Sequence, residues 1–171
     1  MISFRVRMIA PALAVAWLLL GSGAHAQPER GTARIDHAGL QSLLATLGYQ
    51  PREARNESGL EYEIVLHPPG GLAVTTRVTL SKDGTLVWFV AWLKKVPPGR
   101  TINGNAILNM LVENDAIGPT HFSYNEGRRW FFLNKPVPNQ GLTAERLRAE
   151  IQQFGVTIAR TEALWDFDRW K

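Results

Sequence analysis

From Leu86 to Leu93 every residue is apolar: Trp88, Val90 and Trp92 fall on one side of an extended chain, and Val87, Phe89, Ala91 and Leu93 on the other. A strand wetted on one side alternates apolar with polar residues, so this one is built to be covered twice. Two neighbouring segments do alternate. In "LEYEIVLH", Tyr62, Ile64 and Leu66 oppose Glu61 and Glu63; in "AVTTRVTL", Val74, Thr76, Val78 and Leu80 oppose Thr75, Arg77 and Thr79. Both read as half-solvated strands. "THFSY" and "RRWFFLNKPV" read as two more around the turn "NEG", and "WFFL" is again apolar on both sides.

Helical spacing appears three times. Leu40, Leu43, Leu44 and Leu47 predict a helix over 36–47 closed by Gly48 with Pro51 beyond. Ile107, Leu108, Leu111 and Val112 predict a second, capped by Asn103 or Asn105 and stopped near Gly118-Pro119. Leu147, Ile151, Phe154 and Ile158 form the buried stripe of a third behind the cap Thr143, with Gly155 costing it roughly 1 kcal/mol relative to alanine. "REARNESG" reads as a polar connection. The order α-β-β-β-α-β-β-α predicts an α+β domain: one five-stranded antiparallel sheet with helices mainly on one face. Strands apolar on both sides belong in the middle, which gives the strand order 1-2-3-5-4.

The face that each apolar row occupies depends on the turn "SKDGT". A two-residue turn at Asp83-Gly84 sets Leu80 opposite Val87, and Trp88 and Trp92 then share a face with Thr75, Arg77 and Thr79. A three-residue loop with Gly84 left-handed in a bulge sets Leu80 opposite Leu86, leaving Phe89 and Leu93 beside Arg77. Lysine and aspartate before the glycine suit a type I turn entering that bulge, which favours the second register. A one-residue slip exchanges the faces. In either register one face is core, and the other has an apolar centre with a polar border, as a patch awaiting a partner does.

The first 26 residues change the expected compartment. Arg5 and Arg7, an apolar run over 8–20 and the small-x-small end Ala24-His25-Ala26 make a secretory signal peptide cleaved after Ala26. The run is shorter than the roughly 20 residues a membrane span needs. With no cysteine there is no lipidated anchor, no disulfide, no thiol chemistry and no cysteine zinc site, so an exported chain must rely on its core. A periplasmic or secreted protein without a stable membrane anchor follows. Losing Arg5 and Arg7 lowers the net charge from +4 to +2, and no basic run remains; nucleic acid is not an expected partner. The expected organisation is signal 1–26, flexible segment 27–35, one domain 36–165 and tail 166–171.

Catalytic patterns are missing. His37, His67 and His121 share no metal-ligand spacing, no G-x-S-x-G or phosphate-cradling loop occurs, and neither metal nor cofactor is expected. Glu61 and Glu63 lie on one side of a strand, about 7 Å apart by strand rise, a separation compatible with a carboxylate pair. A solvated row on an edge strand explains them as well. Arg128 and Arg129 read as solvated turn charges.

"LQSLLATLGY", "LVWFVAWL", "ILNMLVENDAIGPTHFSYNEGRRWFFLNKPV" and "GLTAERLRAEI" resemble the first helix, central strand, second helix with hairpin, and last helix of the type III secretion chaperone-like fold, including YbjN-type domains. The resemblance covers most of the chain after the signal and implies a non-enzymatic domain that binds protein segments, often as a dimer. Two departures stand out: the export signal and the lack of strong acidity. The expected function is therefore non-catalytic protein or peptide binding, with a protein segment or a second copy as partner. Trp88, Trp92, Phe89 and Arg77 are the candidate binding residues. The alternatives are a small hydrolase using Glu61, Glu63 or His67, and a purely dimerising module.

Overall fold

Hydrogen bonds around Asp83 decide how the apolar stretch is presented. The structure, a computed structural model, describes residues 33–56 and 59–169; the expected signal peptide, residues 27–32 and Trp170 lie outside them. The Asp83 carboxylate accepts hydrogen bonds from Ser81 Oγ at 2.6 Å, the Thr85 N–H at 3.1 Å and the Thr85 hydroxyl at 2.8 Å. Gly84, at φ +65°, donates to Ser81 O, and Ser81 N donates to Leu86 O. Thr85 is thus held inside the turn, so the three-residue bulged loop does not form. Leu80 pairs with Val87 and Arg77 with Val90, which corrects the favoured register to the other one.

The same contacts, with the Ser81 hydroxyl first and the Thr85 N–H next, pull the Asp83 carboxyl down from 3.8 to about 2. A group with a depressed folded-state pKa stabilises the fold above its unfolded value and loses that contribution as pH falls through the folded one. The thermal midpoint of the wild type is therefore expected to drop more steeply between pH 4 and pH 2 than that of Asp83→Asn. Parallel curves for the two proteins would refute the assignment.

The elements run α1 (His37–Thr46), β1 (Arg52–Asn56), β2 (Gly59–Leu66), β3 (Val74–Leu80), β4 (Leu86–Lys95), α2 (Gly104–Ala116), β5 (His121–Asn125), β6 (Trp130–Pro138), α3 (Ala144–Arg160) and α4 (Glu162–Trp165), followed by a 3-10 turn at Phe167–Arg169. Asp36, Asn103 and Thr143 cap α1, α2 and α3 through side-chain oxygens that accept backbone N–H groups. The sheet is antiparallel in the order β1-β2-β3-β4-β6-β5. Five strands in the order 1-2-3-5-4 are thus corrected to six. The additional strand is β1, from the segment read as a connection, and the expected five keep their relative order beside it. Its pairing is polar: Arg52 stands opposite Glu63 and forms an ion pair with it, and Ala54 is half-buried while Arg52, Glu53 and Arg55 are exposed.

The doubly apolar strands β4 and β6 are neighbours, with Val87 opposite Val137 and Ala91 opposite Leu133. Pro136 and Pro138 of β6 lie beyond Asn134, the last residue that β5 pairs, where a missing donor is tolerated. One face of the sheet carries Tyr62, Ile64, Val78, Val87, Phe89 and Leu133, all buried against Leu40 and Leu44 of α1 and the stripe Leu147, Ile151, Phe154 and Ile158 of α3. Each such side chain contributes roughly 1.5–3 kcal/mol by leaving water. A buried cation also lies within this layer. Lys135 meets Glu150 and Gln153 of α3, each at 2.8 Å.

The packed unit runs further than 36–165 at both ends. Arg34 bridges to Gln140, and the Ile35 backbone is bonded to Asn139. Trp165 closes the core, and Phe167 is buried as well, with the Lys94 and Arg100 cations over its ring.

Candidate functional site

The register sets Trp88, Val90 and Trp92 on the face turned away from α1 and α3. None of the three belongs to the core cluster or to the residues packed on it, and all are half-buried. Opposite them across β3 stand Thr79 and Arg77, and across β6 stand Pro136, Asn134 and Phe132. Trp88, Trp92 and Arg77 thus share one surface, as one of the two registers requires. Phe89 does not. It is buried on the core face, 5.8 Å between ring centroids from Phe154, and is removed from the candidate site.

Trp92 is the centre of this surface. Its ring meets Trp130 and Phe132 edge-on at 5.3 and 5.2 Å, the Arg77 guanidinium lies 4.5 Å from its centroid, and that of Arg128 lies 5.6 Å away. Cations over an indole face gain from the ring quadrupole and limit the ring's exposure to water. The buried Trp92 Nε1 has no hydrogen-bond partner among the described residues. An open hollow of about 230 Å³ is lined by Glu61, Arg77, Val90, Trp92, Arg128 and Asn134. A second, of about 320 Å³, shares Arg77 and Trp92 and adds Glu63, Thr75 and Trp130. Trp88 contributes at the other end, edge-on to His121 at 6.2 Å.

The polar border is organised by ion pairs. Arg77 binds Glu61 at 2.8 Å and approaches Glu63 at 3.8 Å, and Glu63 also holds Arg52. Glu61 is only 8% exposed. The two carboxylates are therefore occupied as counter-ions of arginines, the role that lets polar charges sit at a half-buried border. His67 is not with them; it lines a separate hollow with Tyr49, Ile151 and Gly155. The hydrolase grouping Glu61, Glu63 and His67 is not assembled. Among the described residues no three His, Asp or Glu side chains are placed to hold a metal ion, and no helix is long and apolar enough to cross a membrane.

The arginines at the "RRWFF" strand start are not merely solvated. Arg129, in the left-handed region at φ 55°, donates from its guanidinium to the carbonyls of Val96, Pro97 and Arg100 and so staples the loop after β4. Arg128 stays exposed, with its guanidinium over Trp92 and no ion pair among the described residues.

Helix α2 carries an apolar surface that its spacing misassigned. Met110 is its buried residue and Ile107 is half-buried, whereas Leu108, Leu111 and Val112 are 59%, 57% and 72% exposed. The stripe is rotated outward because α2 packs beside β5 at the end of the sheet instead of lying across it. Four apolar residues within six positions suggest burial, but spacing alone does not say against what.

No family model matches this chain, and no curated protein matches its sequence. Among solved structures, it is similar to a chain of the HopA1–SchA chaperone–effector complex, with TM-score 0.46 and 13% identity, over 74% of this chain and 88% of that one. It is also similar to a chain of the heterodimeric ExoU–SpcU complex from the type III secretion system of Pseudomonas aeruginosa, with TM-score 0.45 and 18% identity, over 74% of this chain and 98% of that one.

Proposed function

We propose that this chain is an exported, non-catalytic binding protein that holds a segment of another protein against the helix-free face of its sheet. The observation that carries the reading is the aromatic centre around Trp92, flanked by the guanidinium of Arg128. A matching segment presents an apolar or aromatic side chain to the two hollows and a carboxylate to Arg128; charge-assisted contacts of that kind fix orientation as well as affinity. The signal-like pattern of residues 1–26 supports an encounter outside the cytoplasm.

A photo-crosslinking residue placed at Val90 tests this in the cell-envelope fraction of a producing strain, with the same residue at the exposed position Val156 of α3 as control. A discrete adduct is expected from Val90, absent from Val156 and lost when Trp92→Ala or Arg128→Glu is introduced. Adducts that ignore both substitutions, or none at all, refute the reading.

A second reading, self-association, is favoured by the exposed Leu108, Leu111 and Val112 of α2. Light scattering on the same protein separates the two. A dimer dispersed by Leu111→Lys, with the Val90 adducts of twice the chain's own mass, assigns the apolar surfaces to a second copy.

A further inference from the structure

A six-stranded open sheet has two margins, and an unprotected margin is a template for further strands. At β5 that margin is partly closed from an unexpected direction. The Phe122 N–H donates to Asn114 Oδ1 at 2.6 Å, and Asn114 Nδ2 donates to the Phe122 carbonyl at 3.3 Å. One primary amide on α2 therefore supplies the donor and the acceptor that an adjacent antiparallel strand would supply to the same residue. Backbone groups pointing to one side of a strand recur every second residue. Phe122 is the second of the five β5 residues paired with β6, where it faces Leu133, so its outward groups and those of Tyr124 are the ones a newcomer would need.

We propose that Asn114 is a lock on the β5 margin: its side-chain amide stands in for a seventh strand and prevents edge-to-edge pairing of β5 with the β5 of a second copy. The fit is specific to asparagine. Aspartate keeps the acceptor but brings a second acceptor against the Phe122 carbonyl, and leucine fills the space while offering neither bond. Met110, one turn earlier, goes into the core, while Asn114 reaches the strand backbone. The other margin, β1, carries Arg52, Glu53 and Arg55, all exposed, and is guarded by charge in the usual way. The β5 strand, "HFSYN", contains no Asp, Glu, Lys or Arg, so the lock lies on the margin that lacks charged guards.

The lock stands independently of what the helix-free face binds. Its test compares Asn114→Leu and Asn114→Asp with wild type and with Ala116→Gly, which weakens the exposed end of α2 without touching the strand. Amide exchange at Phe122 is expected to accelerate about tenfold in Asn114→Leu, as the loss of its acceptor requires, and to change much less in Asn114→Asp, which keeps an acceptor for that N–H. Light scattering is expected to rise with concentration in Asn114→Leu well beyond Ala116→Gly. Unchanged exchange at Phe122 in Asn114→Leu, or association no greater than in Ala116→Gly, overturns the proposal.

Discussion

Replacing Phe89 by alanine is expected to lower the unfolding free energy by about 3–5 kcal/mol, the range for deleting a fully buried aromatic ring. Phe89 is 1% exposed and packs against Phe154 of α3. Deletion leaves a cavity between sheet and helix that rigid neighbours fill only in part. Trp88, one residue away, is half-buried on the other face, and its larger ring should cost clearly less when removed. Urea denaturation of Phe89→Ala, Trp88→Ala and wild type makes the comparison. The ordering of the two variants reports which row of β4 faces the helices, and the alternative hairpin register would reverse it. Equal losses would sink the assignment of faces.

Asn139 should rank next. It is fully buried just after β6, and its side chain makes three hydrogen bonds: Nδ2 donates to Ile35 O and Gly84 O, both at 2.8 Å, and Oδ1 accepts from Ile35 N at 3.2 Å. Its own N–H donates to Thr85 O. One amide thus fastens the segment before α1 to the β3–β4 turn. Asn139→Ala strands three backbone groups, and with partial access to water the expected cost is about 3 kcal/mol. For a domain of this size that corresponds to a fall of about 10 °C in the thermal midpoint. Amide exchange at Ile35 should accelerate further than exchange elsewhere in the sheet. A midpoint within about 2 °C of wild type would mean that solvent replaces all three bonds, contrary to the burial described.

What the chain declares in advance follows from which interactions are periodic. The α3 stripe with its cap Thr143, the α2 cap at Asn103, one of the two asparagines expected, and the adjacency of β4 and β6 all come from repeats of 3.6 or 2 residues and short capping signals. β1 lacks such a repeat; it is held by a ladder to β2 and by Arg52 against Glu63, a charge match legible only once the partner strand is known. The hairpin register turns on Asp83 reaching both Ser81 and Thr85, a side-chain choice that turn statistics average away. At the candidate site, Trp88, Trp92 and Arg77 were legible once a register was chosen. Arg128 was not, because it reaches Trp92 from the far hairpin, 36 positions along the chain.

The main hydrophobic core lies on one side of the sheet, where α1, α3, Trp165 and Phe167 gather. The opposite side is therefore decoupled from the core. Residues such as Thr75 and Ser123 can be exchanged over many generations with little penalty to the fold, so that surface can diverge without unsettling the core.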